Sequence, residues 1–349
     1  MINCDLNSLW FLIIAFLWIG YFFLEGFDFG VGILLPLIGK DDLDRRLLVT
    51  SIGPLWDGNE VWLIFAGGAT FAAFPEWYAT LFSAFYLPLF LILIALILRG
   101  VALEFRAKDR RPEWRAWWDR AIVLGSVLPA FLWGVAFAGI LRGVPIDIDG
   151  EFSGNLLDLL SPFALLGGLT TLVLFTLHGA VFITLKTEGE ITERARRAAS
   201  RLAVPAALLV TAFLGWAWGD RLGLDGVTAD LLPAGEVLGF AIAAAAAAGL
   251  SVVLTRRRMW AWAFAATGLA IVLAVATIFV ALYPRVMPSS VEPASRTLDV
   301  YNASSSPTTL RLMSWLTLVF FPIVLAYQAW SYWVFRKRIS RERLSTGAA

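Results

Sequence analysis

Residues 8–38 read SLWFLIIAFLWIGYFFLEGFDFGVGILLPLI, and in this run only Glu25 and Asp28 carry charge. A helix crossing bilayer hydrocarbon needs ~20 apolar residues, so the run is long enough to cross and still tilt or project. The same reading repeats along the chain at 52–74, 78–98, 119–141, 162–185, 202–219, 234–254, 260–283 and 310–335, which makes nine expected spans. The chain has 349 residues, 59% hydrophobic and only 16% charged, with a mean hydropathy of +0.75. A soluble protein of this size needs more polar surface to cover its core, so lipid is the expected solvent. The expected fold class is an all-α polytopic membrane protein forming one transmembrane domain over residues 1–349.

The net charge of +1 gives no pull toward nucleic acid. A single cysteine, Cys4, excludes an internal disulfide and any multi-cysteine metal site. The first apolar run lacks a basic leading segment, so no cleavable signal peptide is expected. The Ala-rich stretch Ala243 to Ala248 predicts a helix lying close against a neighbour, because small side chains let backbones approach. Trp77 with Tyr78, Trp114 to Trp118, Trp260 with Trp262, and Trp330 to Trp333 fall near expected span ends and read as interfacial belts. No internal repeat is evident.

Basic residues set the orientation. The segments 40–51, 99–120, 186–201, 255–258 and 336–349 hold 23 of the 28 Lys and Arg, and the opposite side holds 5. Lys and Arg concentrate on cytoplasmic connections. The amino terminus is therefore expected outside and the carboxyl terminus inside, with no basic residue in mid-span.

Acidic residues inside apolar runs are the candidate site. Glu25 and Asp28 are three apart and share a helix face, as do Asp57 and Glu60 in the stretch PLWDGNEVW at 54–62. Insertion costs roughly 2.5–3.5 kcal/mol for an acid at the centre of a span, so four central, unpaired acids would cost ~10 kcal/mol. Helix two enters from the inside, so at ~1.5 Å per residue Asp57 and Glu60 lie ~8 and ~12 Å along it. Glu25 and Asp28 fall in the inner half of helix one. Such a cluster fits a proton-uptake relay, a cation site, or a scaffold of salt bridges to Arg99 or Arg106. Gly26 and Gly30 form a GxxxG spacing, which reads as close packing within the chain or against a partner, and Gly67, Gly68 and Ala69 read as packing residues.

His178, the only histidine, lies near the inner end of helix five. A lone membrane histidine can ligate haem iron or relay a proton, but a hydrogen-bonded packing residue is the commoner role. Met259, Met287 and Met313 sit at or beyond span ends, Cys4 is at the terminus, and Tyr21 and Tyr86 read as packing residues. The chain is therefore expected to hold no haem iron and no metal by itself. No P-loop, dinucleotide fingerprint or nucleophile–base–acid triad is present.

The blocks EGFDFGVG at 25–32, SIGPLWDGNEVWLIFAGGATFAAFPEWYA at 51–79 and LRGVALEFR at 98–106 resemble subunit II of the cytochrome bd-type quinol oxidases. So do LHGAVFITLKTEGEI at 177–191, YPRVMPSS at 283–290 and LDVYNASSSPTTLRLM at 298–313. The blocks keep family order, and the acidic positions show no departure. The tail after Trp333 carries no signal. The resemblance implies two four-helix bundles plus one peripheral helix, in a bacterial cell membrane. It implies a heterodimer with subunit I that oxidises quinol and reduces dioxygen to water with cytoplasmic protons. It places two haems b and one haem d on subunit I, with membrane lipid, quinone and a small accessory subunit as further partners. Asp57 matches the family's interface acid, and Asp28 and Glu25 match the acids of the first helix. A second function class, an ion-coupled secondary transporter using the same acids, predicts broken helices and an inverted repeat, and neither is apparent.

Overall fold

The computed structural model describes residues 5–147, 152–223, 234–291 and 293–345; Cys4 lies outside them. The chain folds around α1 (Leu6–Ile38), which packs on α2 (Asp42–Ile52), α3 (Trp56–Ala73), α6 (Pro112–Arg142), α8 (Pro162–Lys186), α11 (Trp260–Leu282) and α13 (Pro307–Val334). The remaining elements are α4 (Pro75–Ala84), α5 (Tyr86–Phe105), α7 (Leu156–Leu159), α9 (Glu190–Gly223), α10 (Ala234–Arg256), α12 (Pro293–Arg296), α14 (Arg341–Ser345), and a small antiparallel ribbon of β1 (Arg285–Met287) and β2 (Leu298–Asp299). Among the described residues, eight helices are long and apolar enough to cross a membrane. They correspond to the expected runs except 52–74. In that run α3 has 18 residues and carries Asp57, Asn59 and Glu60, and it is not one of the eight.

Helix packing falls into two groups. In one, α8, α9, α10 and α11 close a ring, each touching the next. In the other, α1 packs on α3 and α6, and α5 packs on α6. The two groups meet where α8 lies against α1 and α6. Backbone approach makes this seam tight: a Cβ on Gly30 would sit 2.1 Å from the Phe175 carbonyl oxygen and 2.8 Å from Gly179 Cα. The GxxxG pair thus serves the chain's own seam, with Gly26 against the Phe175 ring. A Cβ on Gly67 or Gly68, by contrast, would meet nothing within 4 Å among the described residues. Ala244, Ala247 and Ala248 are buried, as the Ala-rich stretch predicts. Helix α13 lies outside both groups and is largely exposed.

Several expected boundaries move. Residues 40–51 are not a plain loop: 42–52 form α2, capped by the Asp41 carboxylate accepting from the Asp44 N–H at 2.8 Å. The third run divides at Phe85 into α4 and α5, and α5 continues to Phe105, so Arg99 is inside a helix and fully buried. Helix α9 begins at Glu190, well inside the expected loop 186–201. Trp77 is a buried core residue stacked on Phe11, not an interfacial one.

The two ends of the helices are stitched separately. On one face, Arg106 pairs with Asp42 and Asp119, Arg45 with Asp119, Arg194 with Asp44, and Arg341 with Asp41 and Asp44. The tail joins this face: the Ile339 N–H donates to the Lys186 carbonyl at 2.9 Å, and the Glu188 N–H to the Ile339 carbonyl at 3.1 Å. On the other face, Asn7 donates to the Val300 carbonyl at 2.7 Å. There Ser305 donates through its N–H to Ala73 at 2.8 Å, and Tyr301 donates to Asp5 at 3.1 Å.

Candidate functional site

The acids of α1 and α3 converge on Arg99 of α5. Its Nη1 donates to Glu25 Oε1 and, at 3.1 Å, to Glu60 Oε1. Arg99 and Glu25 are fully buried, whereas the Glu60 side chain keeps 18% of its exposure. The guanidinium carbon also sits 4.8 Å from the centre of the Phe29 ring, a cation–π contact. Room for this arginine comes from Gly125 on α6, where a Cβ would stand 2.5 Å from Arg99 Cβ.

Asp28 is fully buried one turn further along α1. It accepts from Asn59 Nδ2 at 2.7 Å. Asn59 Oδ1 in turn accepts from Gln328 Nε2 at 3.0 Å and from the Tyr332 hydroxyl at 2.8 Å, both on α13. The Glu25 and Asp28 carboxyl groups are close enough to share a hydrogen bond when one of them holds a proton. Glu25 Oε2 and Asp28 Oδ1 have no donor among the described residues. Three carboxyl groups thus face one guanidinium in a low-dielectric interior, where charge imbalance is costly.

Asp57 does not join the buried set. It lies in the first turn of α3, exposed on the chain's surface, with no partner among the described residues. Its neighbour Gly58 lies against the Gln328 side chain. Of the two arginines expected to pair with the acids, Arg99 does so and Arg106 does not; Arg106 belongs to the stitched face. The participation of Gln328 and Tyr332 was not foreseen, because nothing in the spacing of α13 marks them.

His178 is fully buried away from this cluster, its Nδ1 2.7 Å from Thr267 Oγ1. The ring stacks on Phe264 with centroids 4.4 Å apart and is flanked by Phe23 and Phe27. The ring is thus packed among aromatic side chains and one hydroxyl. Met259 is exposed at the start of α11, Met287 is buried in β1, and Met313 lies on α13.

Fold and site together define a polytopic all-helical membrane protein with a buried acid–arginine cluster near one end of its helices. A sequence model described as cytochrome bd terminal oxidase subunit II matches residues 6–335. The chain belongs to that family. It is 41% identical over 344 residues to cytochrome bd ubiquinol oxidase subunit 2 of Bacillus subtilis (strain 168), covering 98% of this chain and 99% of that one. It is 36% identical over 367 residues to cytochrome bd-I ubiquinol oxidase subunit 2 of Escherichia coli (strain K12), covering 97% and 96%. A chain in the structure of bd oxidase from Geobacillus thermodenitrificans shares the fold, with a TM-score of 0.74 over 99% of both chains at 18% identity.

Proposed function

We propose that this chain is the second subunit of a quinol-oxidising, oxygen-reducing membrane complex. It supports a haem-bearing subunit I and lends that partner a proton path from the cytoplasm. The path enters at Asp57 and Glu60 and reaches Glu25 and Asp28. Membership of the family across 6–335 supports the assignment to the complex. The single observation supporting the path is the surplus of acids: Glu25, Asp28 and Glu60 around Arg99, closed on the α1 side and open at Glu60. In this proposal subunit I carries the two haems b and the one haem d, and His178, packed against Thr267 and Phe264, is a packing residue. Quinone, lipid and a small accessory subunit complete the proposed partners.

In this reading Asp57, unpartnered on the lone chain, meets subunit I. A second role is supported by the ion pairs themselves: Arg99 holds α1, α3 and α5 together through Glu25 and Glu60. The test is Asp57→Asn, nearly isosteric but unable to carry a proton. The assembled variant should lose most of its quinol oxidase turnover while its haem absorption bands persist. Wild-type turnover would remove Asp57 from the path, and loss of the haem bands with turnover would make it an assembly residue.

A further inference from the structure

Helix α13 reaches the buried cluster through the amide of Asn59. Asn59 is fully buried and hydrogen-bonds to Asp28, Gln328 and Tyr332. Its Oδ1 accepts from Gln328 Nε2 at 3.0 Å and from Tyr332 at 2.8 Å, and its Nδ2 donates to Asp28 Oδ2 at 2.7 Å. An amide has two acceptor lone pairs on oxygen and two donors on nitrogen, so this orientation satisfies both donors from α13 and leaves an N–H for Asp28. A donor held against a carboxylate favours its charged form.

The opposite orientation is also self-consistent, but only as a set. Turning Asn59 over would place its nitrogen against Gln328 Nε2, so Gln328 would have to turn as well and Tyr332 re-aim its hydroxyl. The Asn59 oxygen would then face Asp28 Oδ2 at the same short distance, which two acceptors tolerate only when Asp28 holds a proton.

We infer that Gln328 and Tyr332 are positioning residues that fix the Asn59 amide as a donor to Asp28, so that α13 biases Asp28 toward its charged form. The other groups around Asp28 act alongside: Glu25 on α1, Glu60 and beyond it Asp57 on α3, and Arg99 on α5. Helix α6 presents Gly125 and Ser126 at this level, and His178 of α8 stands behind the Phe27 ring. Helix α13 acts on Asp28 through a relayed, reorientable group, the Asn59 amide. A displacement of α13 would release the amide and let Asp28 take up a proton, which makes the helix a lever on the cluster.

The inference uses the site of the proposed proton path, but its test does not depend on turnover. Infrared spectra of the assembled complex would be recorded at fixed neutral pH, with the carboxylic acid C=O band of Asp28 assigned by its disappearance in Asp28→Asn. In the Gln328→Leu/Tyr332→Phe double variant the ratio of protonated to charged Asp28 should rise roughly tenfold, the size expected for losing a hydrogen bond to a charged group. Tyr332→Phe alone removes a single donor and no volume, and should move the band the same way by less. An Asp28 band unchanged in either assembled variant would overturn the inference. An enlarged band with normal turnover would uphold it while removing Asp28 from the proposed path.

Discussion

Arg99 is the residue on which the site depends, and its energetics are those of a buried charge. Glu25 and Arg99 are both fully buried. Removing one partner of such a pair leaves an uncompensated charge, on the order of 3–5 kcal/mol, whereas replacing both with neutral groups costs far less. Arg99→Gln is therefore expected to deplete the chain from membranes, and Arg99→Gln/Glu25→Gln to restore most of it. Subunit levels by immunoblot and thermal unfolding in detergent check this. A double variant as depleted as the single one would show that Arg99 acts through Glu60 or Asp28 instead. The sequence displayed this site unevenly. Acids inside apolar runs announce themselves because each carries an insertion cost. Arg99 was legible only as one of two candidate partners, because it follows the apolar run ending at Leu98 and reads as the first residue of a basic loop. It is buried only because carboxyl groups from two other helices reach it, and no periodicity within α5 encodes that. Asn59 stood in plain view between two acids, but its tie to Gln328 and Tyr332 spans about 270 positions.

At the scale of elements, the unforeseen feature is the fastening of the chain's end. Helices α2 and α14, short and polar, carry no hydropathy signal. Asp41 caps α2 through the Asp44 N–H, and its other partner, Arg341, lies 300 positions away. Asp44 is fully buried between Arg194 and Arg341, each at 2.7 Å. The Asp41 carboxyl is held below its usual range by the Asp44 backbone N–H and then by Arg341. A carboxyl with its folded-state pKa depressed contributes fully above its unfolded-state value, and the contribution fades as pH falls through the folded one. The fastening should accordingly be complete at neutral pH and loosen only in acid below the ordinary carboxylate range. Hydrogen exchange at the Ile339 amide reports it directly. With intrinsic rates corrected for pH, protection should be flat from neutral to mildly acidic conditions. Arg341→Ala should lower it about fivefold at neutral pH, the scale of a partly exposed ion pair. Unchanged protection in Arg341→Ala would assign the fastening to the backbone bonds between Lys186, Glu188 and Ile339 alone.

For the molecule as a whole, the alternation of helix ends is carried by contacts that the sequence count could not include. The ends of α1, α5, α8 and α13 and the starts of α2, α6 and α9 meet on one face, through Arg106, Arg194, Lys186 and Arg341. The start of α1, the end of α3 and the ribbon meet on the other, through Asn7, Ser305 and Tyr301. Helix α3 runs between these two faces despite its polar residues, so its ends, rather than its hydropathy, define it. Apolar runs recovered the long helices because lipid-facing and core-facing residues are equally apolar. The run 52–74 likewise marked α3, whose Glu60 is matched by Arg99 rather than avoided. Moving Arg99 into α5 takes one residue from the basic face and leaves the bias intact. That bias predicts which face is cytoplasmic, and with it the direction of entry into the proposed proton path. Cysteine labelling after replacement of Cys4 tests it, and burial guides the choice of positions. Ser289 is only 4% exposed, so a cysteine there would report burial rather than side. Ser290 and Lys108 are both exposed, on opposite faces. A cysteine at Ser290 should react with an impermeant thiol reagent in whole cells, and one at Lys108 only after the cells are opened. The reverse pattern would turn the molecule over, and Asp57 and Glu60 would then open toward the outside, where they could not draw protons from the cytoplasm.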